Sequence, residues 1–278
     1  MHIGAHVSVS GGLWNAPINA AALGCETFQF FSRSPQGGVV KPITEETVVR
    51  FRETMKSTGI TTSYIHAPYI LNLASPLDRI FKTSVSIIRQ ELERGSLLGC
   101  KAVMFHPGSS KGQSKKQGTE RIIDGLDRIL NEYSGSCQLL IENSAGAGNV
   151  MGDTFEEIAT FIDGTKQGEE IGICLDTQHA FASGYNLQTA EGLDAVLKTF
   201  EKTIGLKKLI LFHINDSKIE FSGHKDRHEH LGKGKMGKEV FKAITQHPKL
   251  QKKDLIIETP FDSGREKDIA LLKSFRKV

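Results

Sequence analysis

Short apolar stretches alternate along the chain with longer amphipathic segments. Each apolar stretch is only four to six residues long, which is typical of strands that are covered on both faces of a sheet. Eight such stretches lie at residues 2–7, 27–31, 63–66, 102–106, 138–142, 172–176, 208–213 and 254–258. The pattern predicts eight strands that recur about every 35 residues, the spacing of β-α-β units.

Between and after these stretches, apolar residues recur every three or four positions, which predicts a helix after each strand. The clearest helix covers residues 76–98, with Ser75 as the predicted N-cap and Gly99 as the predicted C-cap. The others lie at residues 11–23, 44–57, 118–132, 154–163, 189–203, 237–246 and 265–275. Eight strand–helix units predict an α/β fold, a (β/α)8 TIM barrel that forms a single domain over residues 1–278. A doubly wound open sheet would give similar alternation, and periodicity alone does not separate the two.

Composition and charge place only broad limits on the partners. The chain has 35 Lys and Arg against 32 Asp and Glu, a net charge of +3, which excludes a histone-like polycation and an acidic tail. Its cysteines, Cys25, Cys100, Cys137 and Cys174, are far apart, which favours reduced thiols. The first residues include no basic or long apolar targeting stretch, so a cytoplasmic protein with no membrane partner is expected.

Metal-ligand residue types end six consecutive predicted strands. In a barrel these strand ends meet at one mouth, where active sites form. The residues are His66, His106, Glu142, Asp176, His213 and Glu258. One histidine in such a place usually has a structural role, so the prediction depends on the coincidence of all six. Clustered carboxylates would also repel each other unless cations lay between them.

Three more residues extend this candidate site. His179 follows Asp176 by one helical turn, and Asp226 and His228 project to the same side of an extended segment. The nine nitrogen and oxygen ligands suit catalytic Zn2+, and also Mn2+ or Fe2+, whereas a structural zinc site would use cysteines. Several divalent ions would leave the mouth positively charged, which favours a phosphodiester substrate.

Sequence motifs around these residues extend from one end of the chain to the other. They are GAHVS (residues 4–8), PYILNLAS (68–75), FHPGS (105–109), IENSAG (141–146), LDTQHAFASGY (175–185), HINDSK (213–218), DRHEHLGKG (226–234) and IIETP (256–260). In this content and order the chain resembles the endonuclease IV family of metal-dependent apurinic/apyrimidinic (AP) endonucleases.

The resemblance implies three Zn2+ ions per chain. One would be held by His66, His106 and Glu142, a second by Glu142, Asp176, His213 and Glu258, and the third by His179, Asp226 and His228. Glu142, Asp176 and Glu258 would be catalytic. The implied enzyme is a monomeric DNA-repair hydrolase that cuts double-stranded DNA 5′ to an abasic site, leaves a 3′-hydroxyl and removes blocking groups from 3′ ends.

The loop after the second predicted strand departs from the family pattern. The family usually has Lys/Arg-Asn-x-Arg-x-Trp there, and this chain reads FSRSPQGG over residues 31–38, which lacks the second arginine and the tryptophan. Tyr69 matches the family's other intercalating position, although a rim aromatic of purely structural role fits the sequence as well. The candidate DNA contacts are Arg33, Tyr69, Gly146, Gly148, Lys218 and Arg227.

Two other functions remain open from the sequence. A sugar isomerase or epimerase of the xylose isomerase-like barrels also carries Glu, Asp and His at strand ends, but it has no use for the Asp226/His228 pair in a basic loop. A non-catalytic DNA-binding protein would use the metals as structural clamps and would bind abasic DNA without turnover. We rank it last because all nine ligand positions hold residues that can bind metal.

Overall fold

Eight parallel strands close into a barrel in the computed structural model, which describes residues 1–38 and 40–276. The barrel strands are β1 (Ile3–His6), β2 (Thr27–Phe30), β3 (Ser63–His66), β4 (Ala102–Phe105), β5 (Gln138–Glu142), β6 (Gly172–Asp176), β7 (Leu209–His213) and β10 (Asp254–Ile257). Two further short strands are β8 (Asp216–Ser217) and β9 (His228–Glu229). β8 and β9 form a separate antiparallel pair. The other strands follow the order β1-β10-β7-β6-β5-β4-β3-β2, and β1 pairs with both β10 and β2. The predicted barrel is confirmed, and the doubly wound sheet is excluded.

Helices connect the strands and surround the barrel. They are α1 (Asn15–Ala22), α2 (Glu45–Thr58), α3 (Asp78–Leu98), α4 (Lys115–Leu130), α5 (Phe155–Gly164), α6 (Thr177–Ala182), α7 (Ala190–Thr203), α8 (Glu239–Gln246) and α9 (Gly264–Phe275). Short 3-10 helices occupy Gly168–Glu170, Leu206–Lys208 and Pro248–Leu250. Among the residues that the structure describes, no helix is both long and apolar enough to cross a membrane.

Capping side chains explain where several helices begin. Thr44, Thr154 and Thr189 each accept a hydrogen bond from a backbone N–H of the first turn of α2, α5 and α7. Ser114 and Gln117 form a reciprocal capping box, so α4 begins before the predicted residue 118.

Two predicted helix starts were wrong. The helix predicted from residue 11 begins at Asn15, because Gly11 and Gly12 have positive φ angles of 84° and 140°, which are not helical. Ser75 does not cap α3, since its hydroxyl accepts from the N–H of Leu77 in a turn that precedes the helix. The predicted C-cap of α3 is confirmed, because Gly99 lies in the left-handed region with φ 79°.

The core has two layers, one inside the barrel and one between the barrel and its helices. The interior is filled by Tyr64, Ala102, Met104, Leu140, Cys174, Leu211 and Ile256, all fully buried. The outer layer covers the opposite faces of the same strands, which is why the strands read as continuous apolar runs. All four cysteines are free and buried.

A polar network lies at the barrel end where the strands begin. The buried Asp254 carboxylate accepts hydrogen bonds from the Tyr64 hydroxyl at 2.6 Å and from the His2 backbone N–H at 3.0 Å, with Lys101 Nζ at 3.4 Å. This end is therefore filled by side chains, and the candidate site lies at the other end.

Candidate metal centre

The C-terminal ends of six strands bring metal-ligand residues to one mouth of the barrel. Four of these residues are the last of their strands, and two directly follow a strand. In chain order they are His66 (β3), His106 (after β4), Glu142 (β5), Asp176 (β6), His213 (β7) and Glu258 (after β10). Since the strands are parallel and neighbours in the barrel, the side chains converge as the sequence predicted.

Glu142 lies at the centre of this cluster and is fully buried. Its Oε2 atom is 3.1 Å from His66 Nε2 and 3.5 Å from His106 Nε2. Its Oε1 atom is 2.8 Å from His213 Nδ1. The two oxygens of one carboxylate therefore face two different sets of histidines, the geometry that a carboxylate shared by two cations requires.

A second group of ligand atoms lies beside the first. Glu142, Asp176, His213 and Glu258 each offer one atom, and these atoms all lie within 4.8 Å of one another. His213 Nδ1 is 3.2 Å from Glu258 Oε2. Ligands of one tetrahedral cation are separated by about 3.3 Å when each bond is about 2.0–2.1 Å long.

The third group joins the short helix α6 to the loop between β8 and β9. Asp176 caps α6 by accepting the His179 N–H at 2.7 Å, which places the His179 ring one turn further along. His179 Nε2 lies 3.3 Å from Asp226 Oδ2, and His228 Nε2 lies 3.3 Å from Asp226 Oδ1. Asp226 is therefore between two histidines that come from different elements, although 56% of its side chain is exposed.

Hydrogen bonds to the second ring nitrogen orient several of these histidines. His66 Nδ1 donates to the carbonyl of Ala67 at 2.6 Å, and His179 Nδ1 donates to the carbonyl of Asn143 at 2.9 Å. His213 Nε2 donates to the side-chain oxygen of Gln29 at 2.6 Å. A hydrogen bond of this kind fixes the tautomer and directs the free nitrogen toward the centre, as in protein metal sites.

Sequence reasoning missed three buried amides that hold the carboxylates. Gln29 donates to Glu258 Oε1 at 2.6 Å, in addition to its contact with His213. Asn215 donates to Asp176 Oδ2 at 2.6 Å and accepts the Glu258 N–H at 2.7 Å. Asn143 pairs with the backbone of Asp176 in both directions. A polar residue inside an apolar strand, as Gln29 is in β2, was the one signal that the sequence offered.

Burial and mutual attraction shift the pKa values of the cluster in opposite directions. Burial alone would raise the pKa of Glu142, but the charges of His106 and His213 outweigh it and hold that pKa well below its usual value. Burial alone would lower the pKa of His179, but the charges of Asp176 and Asp226 raise it to about 10. The carboxylates of this cluster therefore strongly stabilise nearby positive charge, either on protonated histidines or on bound cations.

The donor set fits divalent cations. His228 Nε2 is buried and has no hydrogen-bond partner among the described residues, yet it faces Asp226 Oδ1 at 3.3 Å and Asp176 Oδ2 at 3.7 Å. A buried nitrogen aimed at two carboxylates is what a ligand position requires. Cys174 also lies near His213, but burial raises the pKa of its thiol to about 12, so the groups available to a cation at neutral pH are nitrogens and oxygens.

Two open clefts meet at this mouth. One, of 330 Å³, is lined by the cluster together with Phe31 and Tyr69, and the other, of 550 Å³, extends toward the loops after β4 and β5. Tyr69, His106, His179 and Asp226 line both clefts. Six of the nine candidate ligands therefore line an open surface groove, whereas Glu142, Asp176 and His213 are fully buried.

Of the predicted DNA contacts, Tyr69 lines both clefts, and the others lie on loops at the same end of the barrel. Tyr69 is 58% exposed at its wall. Gly146 and Gly148 have positive φ angles of 75° and 61°, and they follow the Glu142 strand. Lys218 and Arg227 flank Asp226 in the loop between β8 and β9. These positions are open to a ligand, and their contacts with DNA remain predictions.

Arg33 is also a predicted DNA contact, and it differs from the others because it lies in a buried ion pair; its contact with DNA stays a prediction. Its guanidinium is buried in an ion pair with Glu91 and donates to Gln90 Oε1 at 3.0 Å, both on α3. Arg94 donates from the same helix to Ser32 Oγ at 2.6 Å and lies 3.6 Å from Glu91. Arg33 thus anchors the start of the loop to α3 through its Nε and Nη2 atoms.

Comparison with known proteins identifies the family. The chain matches the xylose isomerase-like TIM barrel family over residues 18–276. A probable endonuclease 4 from Halothermothrix orenii is 37% identical over 277 residues, which cover 100% of each chain. Another from Methanoculleus marisnigri is 40% identical over 264 residues, 95% of this chain and 94% of that protein. The chain belongs to the endonuclease IV family.

The crystal structure of endonuclease IV from Thermus thermophilus agrees with this assignment. It superposes with a TM-score of 0.86 at 31% identity and covers 99% of this chain and 98% of that chain. The endonuclease IV family predicted from the motifs is therefore confirmed.

Proposed function

We propose that this member of the endonuclease IV family is a metal-dependent AP endonuclease of DNA repair. It hydrolyses the phosphodiester 5′ to an abasic site in double-stranded DNA, leaves a 3′-hydroxyl, and also removes blocking groups from 3′ ends. Endonuclease activity follows from the family. The observation that supports the proposal is that nine side chains with nitrogen or oxygen donor atoms lie together at one barrel mouth, with Glu142 at their centre.

Each group would hold one divalent cation, Zn2+ in the first place and Mn2+ or Fe2+ as alternatives. The ligand sets are His66, His106 and Glu142; then Glu142, Asp176, His213 and Glu258; and then His179, Asp226 and His228. When bound, such cations supply a nucleophilic water at neutral pH and neutralise the charge that develops on phosphate oxygens.

Residues of this chain hold the proposed catalytic carboxylates in a fixed orientation. Glu142, Asp176 and Glu258 are the proposed catalytic carboxylates, and the lowered pKa values of Glu142 and Glu258 keep both ionised at neutral pH, against the effect of burial. Gln29 and Asn215 each hold one oxygen of a catalytic carboxylate, so neither group can rotate freely. The substrate phosphate thus meets a rigid set of charges and does not need to organise it.

The groove at the barrel mouth is the proposed binding site for duplex DNA. The exposed ring of Tyr69 lies on one wall, and the backbone around Gly146 and Gly148 can approach a phosphate closely. Lys218 and Arg227 supply positive charge beside the third ligand group. Phosphate contacts of this kind predict binding that weakens steeply with salt. We propose a monomer that acts in the cytoplasm, where the four free cysteines would stay reduced.

The test is incubation of the purified protein with a duplex that carries one synthetic abasic site. We expect a single cut on its 5′ side with a 3′-hydroxyl product and about three divalent cations per chain in the same sample. The undamaged duplex is the substrate control, and Glu142→Gln, which removes a ligand shared by two groups, should abolish cutting while the protein remains folded. No cutting by a fully metallated sample would refute the proposal.

A sugar isomerase or epimerase is the second candidate, since the family match is to xylose isomerase-like barrels as a whole. Its weakness is the third group, in which His179 of α6 meets Asp226 and His228 of a separate segment, because a small sugar does not need this additional group. Isomerisation of a ketose without cutting of abasic DNA would favour this candidate.

A further inference from the structure

One phenylalanine at the mouth of the barrel is unusually exposed. Phe261 is 70% exposed, more than any other large apolar side chain among the described residues. It lies in the loop between β10 and α9, shortly after the proposed ligand Glu258. An exposed aromatic ring that lines the cleft of a reaction centre is a candidate for substrate contact.

Phe261 shares the cleft with two other aromatic residues. It lines the 330 Å³ cleft together with Phe31 and Tyr69. Phe31 contacts Tyr69 edge to face, with ring centroids 6.4 Å apart, so these two rings belong to one wall. Phe261 also lines the neighbouring groove formed by residues 6–10 and the start of the loop after β2.

Arg265 holds the Phe261 ring in position. The guanidinium carbon lies 4.2 Å from the ring centroid, within the range of a cation–π contact. Arg265 is only 2% exposed and donates from its Nη2 atom to the backbone carbonyl of His6 on β1. One face of the ring therefore rests on a fixed, buried cation.

The loop after β2 offers few side chains that could contact DNA. Arg33, the only arginine in that loop, is turned inward to Glu91. The stretch that follows reads Ser34-Pro35-Gln36-Gly37-Gly38, which has no aromatic ring and no charge to insert into a duplex. Beyond Phe31 at the start of this loop, aromatic contact with DNA on this side of the cleft must come from another element.

We propose that Phe261 stacks on a base of the duplex beside the abasic site and so contributes to the recognition of damaged DNA. The inference rests on the proposed function and adds a specificity-determining residue to it. An abasic site leaves neighbouring bases with an uncovered face, and a ring held by Arg265 offers an apolar surface of matching size at little cost in side-chain entropy.

The test compares Phe261 variants on a duplex with one tetrahydrofuran abasic site. Phe261→Ala should lower kcat/KM by about 5- to 150-fold, the range for loss of one base–aromatic stack, with the loss mainly in KM. Phe261→Tyr and Phe261→Trp should recover most of it, whereas Phe261→Leu should not, because the contact needs a flat ring. Affinity for the nicked product duplex, measured by anisotropy, should follow the same order.

A fluorescent base gives a readout that a structural role would not change. 2-Aminopurine placed beside the abasic site should be quenched by the wild type and Phe261→Trp, and not by Phe261→Ala or Phe261→Leu. The matched control is Leu97→Ala, which removes a side chain that is 50% exposed at the far end of the barrel and should leave catalysis and metal content unchanged.

The outcomes separate this inference from the proposed function. If the wild type does not cut the abasic duplex, the proposed function fails. If it does cut and Phe261→Ala matches it in KM, product affinity and 2-aminopurine quenching, the stacking role alone is refuted. A Phe261→Ala variant that loses metal or melts early, with Phe261→Leu behaving as wild type in KM, would also refute stacking, since packing would then explain the loss.

Discussion

At the scale of single residues, burial in the folded protein distinguishes roles that fit the sequence equally well. Arg33 has the residue type and loop position of a DNA contact, yet its partner Glu91 lies 58 residues further along the chain in the middle of α3. Glu91 is fully buried, and no local sequence pattern predicts that an acidic residue lies on the inner face of this helix. Pairings of this kind depend on tertiary packing, so a single sequence does not predict them.

Loss of the Arg33 side chain should therefore destabilise the protein. Arg33→Ala leaves Glu91 buried with only Ser32 and Arg94 to compensate, so we expect the free energy of unfolding to fall by about 3 kcal/mol. Urea denaturation of the chelated protein measures the change. Arg79→Ala, an exposed arginine on the same helix, should change stability by less than about 0.5 kcal/mol. Unchanged stability with weaker DNA binding would support the DNA-contact role.

The role of Gln29 in holding His213 and Glu258 could hardly be predicted from the sequence. Gln29→Leu keeps the size of the side chain but removes the acceptor for His213 and the donor to Glu258. Loss of such an orienting partner typically costs 10- to 100-fold in metal affinity or activity, and we expect about that loss in both. Competition with a chromophoric chelator gives the affinity. Gln138→Leu, at the opposite end of β5, is the control, and full metal affinity in Gln29→Leu would contradict the orienting role.

At the scale of elements, the regular strands and long helices were predictable, and the short elements at the site were not. The eight barrel strands appear where apolar runs predicted them, because both faces of each strand are covered. Helix α6 is buried on every side and therefore shows no amphipathic period. β8 and β9 have two residues each, too few for any alternation to be read. These short elements carry His179, Asp226 and His228 to the site.

One buried carboxylate organises the long loop that presents Asp226 and His228. Asp216 accepts backbone N–H groups from Ser217, Gly232, Gly234 and Met236 at distances of 2.7 to 3.0 Å. Both ends of the loop are thereby tied to one side chain, although residues 216 and 236 are far apart in sequence. Together with the pairing of β8 and β9, this connection holds the loop in its conformation.

Asp216→Ala should loosen this loop and weaken the third ligand group selectively. We expect the metal content after dialysis to fall by about one ion per chain and limited proteolysis to cut faster between residues 217 and 236, with the barrel still folded. Metal analysis and peptide mapping provide both readouts. Asp194→Ala, on the exposed face of α7, is the matched control. An Asp216→Ala sample with wild-type metal content and protease resistance would show that other contacts hold the loop.

At the scale of the whole molecule, closure of the barrel is the step that makes the site. Alternating strands and helices predicted the units, but the pairing of β1 with β10 joins residues about 250 positions apart and has no local signal. Once the barrel closes, all strand ends face one mouth, and the ligands identified from the sequence meet there. The residue types of the candidate ligands could therefore be read from the sequence, whereas their convergence at one mouth depends on the topology of the barrel.

Closure also brings together the polar network at the opposite end of the barrel, around Asp254. The charged or titratable groups that face this carboxylate are His2, Tyr64 and Lys101, and Lys253 precedes it. Burial alone would raise the pKa of Asp254, but the hydrogen bonds from Tyr64 and His2 and the charge of Lys101 outweigh it and lower the pKa. Because the folded-state pKa lies below the unfolded one, ionised Asp254 stabilises the fold above the unfolded pKa of about 4, and that contribution disappears as the pH falls through the folded pKa.

Asp254→Asn should reveal this contribution without touching the metal centre. At pH 7 we expect the variant to be less stable than the wild type by about 1–3 kcal/mol, because the Tyr64 hydroxyl then donates to a neutral amide and Lys101 loses its counter-charge. The difference should shrink below about pH 4, since the wild-type carboxylate becomes protonated there. Urea denaturation of both chelated proteins from pH 7 to pH 3 measures the difference, and Asp124→Asn, on the exposed face of α4, serves as the control. A stability difference that stays constant across this range would mean that Asp254 acts through packing and hydrogen bonding alone, and that its charge contributes nothing to holding this end of the barrel closed.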